Sequence, residues 1–250
     1  MILMNFEKSI YSGKTRITYY DLDQNGQIKF SALLRMVHIA ADVNANDLGV
    51  GFKVLSGLNM SFVIQRFGAR VLRMPKYNEM VTVRTWPYSL ARGTFLRQGD
   101  MYDEKGNKIM EWSSLWILFD IAERKILKPS ALPITLDAAA DQGVMIQPQK
   151  ISLDTSEMED DFTFHTHTVR YAEVDTNMHM NNSIYGDLIT NALGEIPPWK
   201  ELQINYLGEA KLSEDVEVNS QRKDNIYLVK GRRIPNYGKI KVSFAAQILI

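Results

Sequence analysis

Two stretches decide the fold of this chain: RITYYDLDQNGQIKFSAL at residues 16–33 and TVRYAEVDTNMHMNNSIY at residues 168–185. Laid over one another, Asp23 falls on Asp175, Asn25 on Asn177 and Ser31 on Ser183, each pair 152 positions apart. An element order that recurs at a fixed offset is the mark of a duplication. In both copies an Asp- and Asn-rich turn runs into a segment of helical character. Short polar side chains favour turns and helix starts, which accounts for that placement.

Outward from the first stretch, Leu33, Leu34, Val37, Ala40, Ala41 and Asn44 follow helical spacing. A helix is expected over residues 31–48, with Ser31 as its cap and Gly49 as its stop. The pattern then switches to β-branched and aromatic runs at 61–72, 80–89, 94–102 and 108–119, with a turn at 103–107. Residues 128–161 change character, with Pro129, Pro133, Pro148, an alanine run and an acidic cluster, and read as a connector. The first order then returns: a strand at 161–171, a helix at 182–193 stopped by Gly194 and Pro197-Pro198, and strands at 202–212, 215–222, 226–233 and 239–250. Asn236-Tyr237-Gly238 turns the last hairpin. The expected domains are residues 1–130 and 161–250, joined by a linker at 131–160. A helix apolar over a wide face, followed by antiparallel strands, predicts an α+β fold in which each sheet wraps a central helix. That is a hotdog fold, and two copies make a tandem hotdog.

Composition narrows the chemistry. The chain has 250 residues, 45% of them hydrophobic and 23% charged, and no cysteine. Disulfides, thiolate metal sites and a cysteine nucleophile are therefore excluded. No apolar run approaches the ~20 residues that span a membrane, and residues 1–16 lack a signal-peptide pattern. The expectation is a cytoplasmic protein, monomer or homodimer, with no membrane or nucleic-acid partner. Net charge is zero, but residues 1–125 hold 17 Lys and Arg against 12 Asp and Glu, and the remainder reverses the balance. A mildly basic first half matters only to an acidic partner.

Several motifs fall short of function. Asp21-x-Asp23-x-Asn25-Gly26 mimics a calcium loop, but its twelfth position is Ala32 where a glutamate is required. His165 and His167 alternate on a strand without a third ligand nearby in sequence. No phosphate-binding or dinucleotide fingerprint occurs, and no G-x-S-x-G elbow. Neither cofactor nor metal is expected. His38, on the expected helix, reads as a histidine at the edge of the core.

The copies differ where chemistry is concerned. The second reads Asp175-Thr176-Asn177-Met178-His179-Met180-Asn181-Asn182; the first reads Asp23-Gln24-Asn25-Gly26-Gln27-Ile28-Lys29-Phe30. Within these stretches only the second holds a side chain that moves protons near neutral pH, His179. The cluster precedes a helix N-terminus, whose unpaired N–H groups favour developing negative charge. Asn177, together with backbone N–H groups near Asn181 and Asn182, is expected to meet a carbonyl or orient water, and Asp175 or another carboxylate to accept a proton.

At these residues the chain resembles the acyl-ACP thioesterases, known from plant plastids and from bacteria. VDTNMHMNNSIY is similar to that family's Asp-x-Asn-x-His-x-Asn-Asn segment, which implies Asp175, Asn177 and His179 as site residues. INYLGEA at 204–210 is similar to its Glu-Tyr-Arg-Arg-Glu-Cys segment, which implies a site carboxylate at Glu209. The runs at 62–86 and 113–120 are similar to its first domain. The resemblance implies hydrolysis of long-chain acyl thioesters in fatty acid biosynthesis, a first half that houses the acyl chain along helix positions such as Val37 and Ala41, and an acyl carrier protein as partner. Arg66, Arg70, Arg73 and Lys76 are the expected carrier contacts. Ala210 stands where the family has cysteine, so a cysteine–histidine scheme is ruled out. Leu207 and Gly208 stand where it has two arginines. A hydratase, whose usual signature sets histidine one place later, fits less well; an acyl-CoA thioesterase and a non-enzymatic acyl-binding protein are the competing expectations.

Overall fold

The computed structural model describes residues 9–91, 93–134, 136, 145–152 and 165–250. The chain forms two compact units: Met1–Thr18 with Arg35–Pro148, and Tyr19–Leu34 with Gln149–Ile250.

In the first unit β1 (Tyr11–Arg16) is followed by α1 (Phe30–Asp47, of which the part from Arg35 on belongs to this unit), α2 (Phe52–Gly57), β2 (Met60–Val71), β3 (Met80–Ala91), β4 (Thr94–Tyr102), β5 (Lys108–Asp120) and the short β6 (Lys125–Leu127). The strands pair in the order β1-β3-β4-β5-β2, with β6 on β5. Every described pairing is antiparallel. The helix turns Val37, Ala40, Ala41 and Asn44 inward, and these and Leu48 just past its end are buried. Leu48 packs with Val50, Leu55, Phe95, Leu118 and Leu132. Removing a side chain of this size from water contributes about 2 kcal/mol. Arg97 of β4 ties helix to sheet through a 2.7 Å hydrogen bond from Nη1 to Asn44 Oδ1. Burial lowers its pKa to about 10, so the guanidinium stays charged.

The second unit repeats that plan with β7 (His165–Thr168), α3 (Ile184–Leu193), β8 (Glu201–Tyr206), β9 (Asp215–Lys223), β10 (Ile226–Ile234) and β11 (Lys241–Leu249). The order is β7-β9-β10-β11-β8, strand for strand that of the first unit. Tyr185, Leu188, Ile189 and Ala192 of α3 are buried. Gly194 ends the helix in the left-handed conformation at φ 76°, as glycine does best. Gly186 is required for a different reason. A Cβ there would lie 2.4 Å from Ser31 N, so the two backbones meet only because it has no side chain.

Three expectations need correction. α1 begins at Phe30, with Leu33 N on Lys29 O, so Ser31 lies inside the helix. Its hydroxyl donates to the Asp187 carboxylate instead of capping. The strand expected over 202–212 ends at Tyr206, because Leu207 N and Gly208 N both bond to Ser243 O and the ladder stops there. The described part of the strand expected at 161–171 is only His165–Thr168, and residues 161–164 lie outside the described set. In the described part of the connector, Gln149 N and Ile151 N donate to the side-chain oxygens of Gln203 and Asn205, which stand in for a neighbouring strand. His38 is half-buried, with its ring 6.1 Å from that of Trp116 and Nε2 buried without a partner.

Candidate active site

The predicted site lies within the second unit, on three pieces: the turn 173–181, the start of α3 and the loop 207–214. The turn is local chemistry. Asp175 N bonds to His179 O, and Asp175 Oδ1 accepts Asn177 N at 2.9 Å. Asp175 Oδ2 lies 3.4 Å from Asn181 Nδ2. Val174 and Met180 pair as an isolated bridge. Asn181 then turns the chain into α3, its Oδ1 accepting both Ser183 N at 2.9 Å and Ser183 Oγ at 2.8 Å.

The first copy makes the same turn without the histidine. Asp23 Oδ1 accepts Asn25 N at 2.9 Å and Gln27 N at 2.8 Å, Asp23 N bonds to Gln27 O, and Leu22 bridges Ile28. Gly26 has φ 74° where Met178 has φ 65°. The aspartate thus folds the turn even in the copy that lacks the histidine. Asp175 shares the bond from the N–H two residues on, and its second oxygen faces the Asn181 amide.

His179 finds its partner across the unit. Its Nε2 lies 2.9 Å from Glu209 Oε2, with side-chain exposures of 20% and 37%, so the pair is accessible yet sheltered. The loop carrying Glu209 is held at three successive carbonyls by three different elements. Tyr185 of α3 donates its hydroxyl to Gly208 O at 3.3 Å. Arg233 of β10 donates Nη1 to Glu209 O at 2.7 Å. Met180 N donates to Ala210 O at 2.8 Å, which fastens this loop to the residue next to His179. Beneath it, the Tyr185 ring packs against those of Tyr206 and Phe244 at 5.5 and 5.1 Å. Burial pushes both phenols up, so they remain neutral donors.

Of the other predicted residues, Asn177 presents an exposed side chain on the turn. Asn181 N is engaged by Glu173 O, and Asn182 O accepts the Tyr206 hydroxyl at 3.5 Å. Val37 and Ala41 are buried in the first unit. Arg70 pairs with Glu111 at 3.0 Å, and Arg73 with Glu79 and Asp103 at 2.5 and 3.4 Å, while Arg66 is half-buried and Lys76 exposed. His167 is engaged by Glu173 at 2.8 Å. Among the described residues no group of three or more His, Asp or Glu is arranged to hold a metal ion. No helix among them is long and apolar enough to cross a membrane.

Tyr185, Arg233 and Glu214 escaped the sequence reading. A signal for Glu214 existed: Lys76-x-x-Glu79 and Lys211-x-x-Glu214 share one spacing, and in each the glutamate accepts the lysine's N–H at 2.8 Å. Arg233 left no such trace.

A helix wrapped by an antiparallel sheet, repeated once, with a His–Glu pair beside the second helix, belongs among the hotdog thioester hydrolases. Comparison with known families bears this out. The acyl-ACP thioesterase N-terminal domain matches residues 8–130, and the acyl-ACP thioesterase C-terminal domain matches residues 156–244. The chain belongs to the acyl-ACP thioesterase family. Its fold is similar to that of an acyl-ACP thioesterase from Bacteroides thetaiotaomicron, with a TM-score of 0.84 at 20% identity over 98% of this chain and 99% of that one. It is also similar to the 12:0-ACP thioesterase from Umbellularia californica, with a TM-score of 0.73 at 15% identity over 100% and 98% of the two chains. A search of curated proteins by sequence returned no match. The fold is thus the α+β double hotdog, and the activity is thioester hydrolysis.

Proposed function

We propose that this thioesterase hydrolyses long-chain acyl-ACP in the cytoplasm, releasing free fatty acid and the carrier thiol in fatty acid biosynthesis. The observation that carries the reading is the 2.9 Å contact of His179 Nε2 with Glu209 Oε2 in the copy that holds both residues. Glu209 is the general base, since Asp175 is engaged in its turn. Its carboxylate takes a proton from water, and the hydroxide adds to the thioester carbonyl carbon. The carbonyl oxygen gathers negative charge against the Asn177 amide and the Asn182 N–H at the start of α3. The C–S bond then breaks, and the departing thiolate receives the proton through His179. His179 also orients Glu209.

The first copy, whose turn has Gln27 in place of His179, is left to hold the acyl chain, with Val37 and Ala41 in its lining. The acidic carrier meets the basic side of the first unit, chiefly at Arg66 and Lys76, because the ion pairs of Arg70 and Arg73 reduce their pull.

Thiol release from matched acyl-ACP and acyl-CoA panels, for the wild type and His179→Ala, tests this. ACP-linked hydrolysis that collapses in the variant is the expected result. Turnover of CoA esters alone would move the substrate to that carrier. In a single turnover in ¹⁸O water, label entering Glu209 would replace direct attack by water with an anhydride route.

A further inference from the structure

The two copies build the loop before their third strand in the same way and stabilise it with different charges. In the first unit Leu72 N and Arg73 N both bond to Ile109 O; in the second Leu207 N and Gly208 N both bond to Ser243 O. Ile109 and Ser243 are each the extra residue of a bulge, between Met101/Tyr102 in one copy and Gly231/Arg232 in the other. That register sets Arg73 against Gly208, Glu79 against Glu214, Met74 against Glu209 and Asp103 against Arg233. In the first copy the cation sits in the loop: Arg73 grips Glu79 at 2.5 and 3.1 Å and reaches Asp103 at 3.4 Å. In the second the loop position is glycine, and the cation comes from the strand. Arg233 lies 3.7 Å from Glu214, which is buried. Its shorter contact, at 2.7 Å, is with the carbonyl of Glu209 itself. The bulged residue Ser243 lies on β11 opposite the Gly231–Arg232 step of β10, and Arg233, the next residue, reaches the loop. Gly231 belongs to this arrangement, since a Cβ there would lie 2.0 Å from the Phe244 ring.

We propose that Arg233 is a positioning residue for Glu209: moving the cation from position 208 to the strand clears the residue preceding Glu209 while its guanidinium fixes the Glu209 backbone at the distance His179 requires. The inference rests on the reading above that Glu209 works on substrate. Arg233 touches no reacting atom and acts through the Glu209 carbonyl.

The test is steady-state kinetics on an acyl-ACP turned over by the wild type, with His179→Ala as reference. Arg233→Ala lowers kcat about 10- to 100-fold, the scale of a misplaced catalytic group, with little change in KM. Low, non-denaturing guanidinium restores part of kcat, and Arg233→Lys falls between the wild type and the alanine variant. Arg84→Ala, which breaks a bidentate pair with Asp100 in the first unit, keeps kcat within about twofold. Unchanged kcat in Arg233→Ala would overturn the proposal. So would a loss that guanidinium does not relieve and that follows the fraction unfolded, since that marks a merely structural arginine. If His179→Ala were as active as the wild type, the fault would lie with the reading of the site and not with Arg233.

Discussion

The loops 72–79 and 207–214 show what the duplication kept and what it let change. Both start with two N–H groups on the carbonyl of a bulged residue in the neighbouring strand, both carry a residue in the left-handed region, Asn78 and Ser213 at φ 65°, and both close with a glutamate that accepts a lysine N–H. Those features are backbone geometry, and the fold needs them twice. Between them the side chains have diverged. The first loop has Arg73 and Met74; the second has Gly208 and Glu209. The turns that precede the helices tell the same story, since Asp23 and Asp175 fold them alike while Gln27 and His179 differ in what they can do with a proton. The scaffold is duplicated, and on the proposed reading the chemistry is single.

That comparison can be broken most sharply at the paired loop positions. Glu209→Gln should cut kcat about 10²–10⁴-fold, the usual worth of a general base, whereas Met74→Gln in the first copy leaves it nearly untouched. Equal losses on acyl-ACP would mean that both copies take part in the reaction.

The next largest effect belongs to the first copy alone. His38 has Thr190 as its counterpart 152 positions on, so only one helix titrates at this place. Burial pushes the His38 imidazole down to about 4 from the ordinary 6.5. The unfolded chain therefore binds a proton first as pH falls. The stabilising effect of a neutral His38 is complete above about pH 6.5 and is lost on the way down to about pH 4, by at most about 3 kcal/mol. Chemical denaturation across that window should show the loss, and His38→Gln should flatten it. A slope unchanged in the variant would assign the titration elsewhere.

Asp23→Asn and Asp175→Asn sharpen the equivalence of the turns. Each weakens hydrogen bonds to a charged acceptor, and each should cost about 1–2 kcal/mol, a fall of several degrees in Tm. Asp175→Asn should keep far more turnover than Glu209→Gln. If a well-folded Asp175→Asn were as inactive, Asp175 would have to enter the chemistry.

The smallest effect is at the αL position of the two turns. Met178→Gly should raise stability by about 1 kcal/mol and Gly26→Met lower it by a similar amount, because an L side chain is disfavoured there. Thermal melts of the two variants that move in the same direction would show the turns to be unlike.

Much of the fold was legible because its punctuation is local. The Asp-x-Asn turns close through bonds two to four residues apart, and α1 shows its buried face through spacing along one helix. Those signals sit side by side in the sequence, so duplication, helix–sheet order and the position of His179 could be read from it. Glu209 was reached through resemblance alone. Nothing near residues 204–210 marks a carboxylate as partner to a histidine 30 positions earlier.

What the tertiary structure decided is non-local. The end of β8 at Tyr206 depends on Ser243 O accepting two N–H groups, and Ser31 exchanges a capping role for Asp187, 156 residues away. Arg233 reaches Glu209 because β10 pairs with β11 in a bulged register, and a register is fixed by partners rather than by the strand's own residues. The sequence by itself determined two hotdog copies and the one that bears the histidine. Only the packed sheet decided which carboxylate faces His179 and which cation holds it there, since those contacts join segments that local propensity cannot bring together.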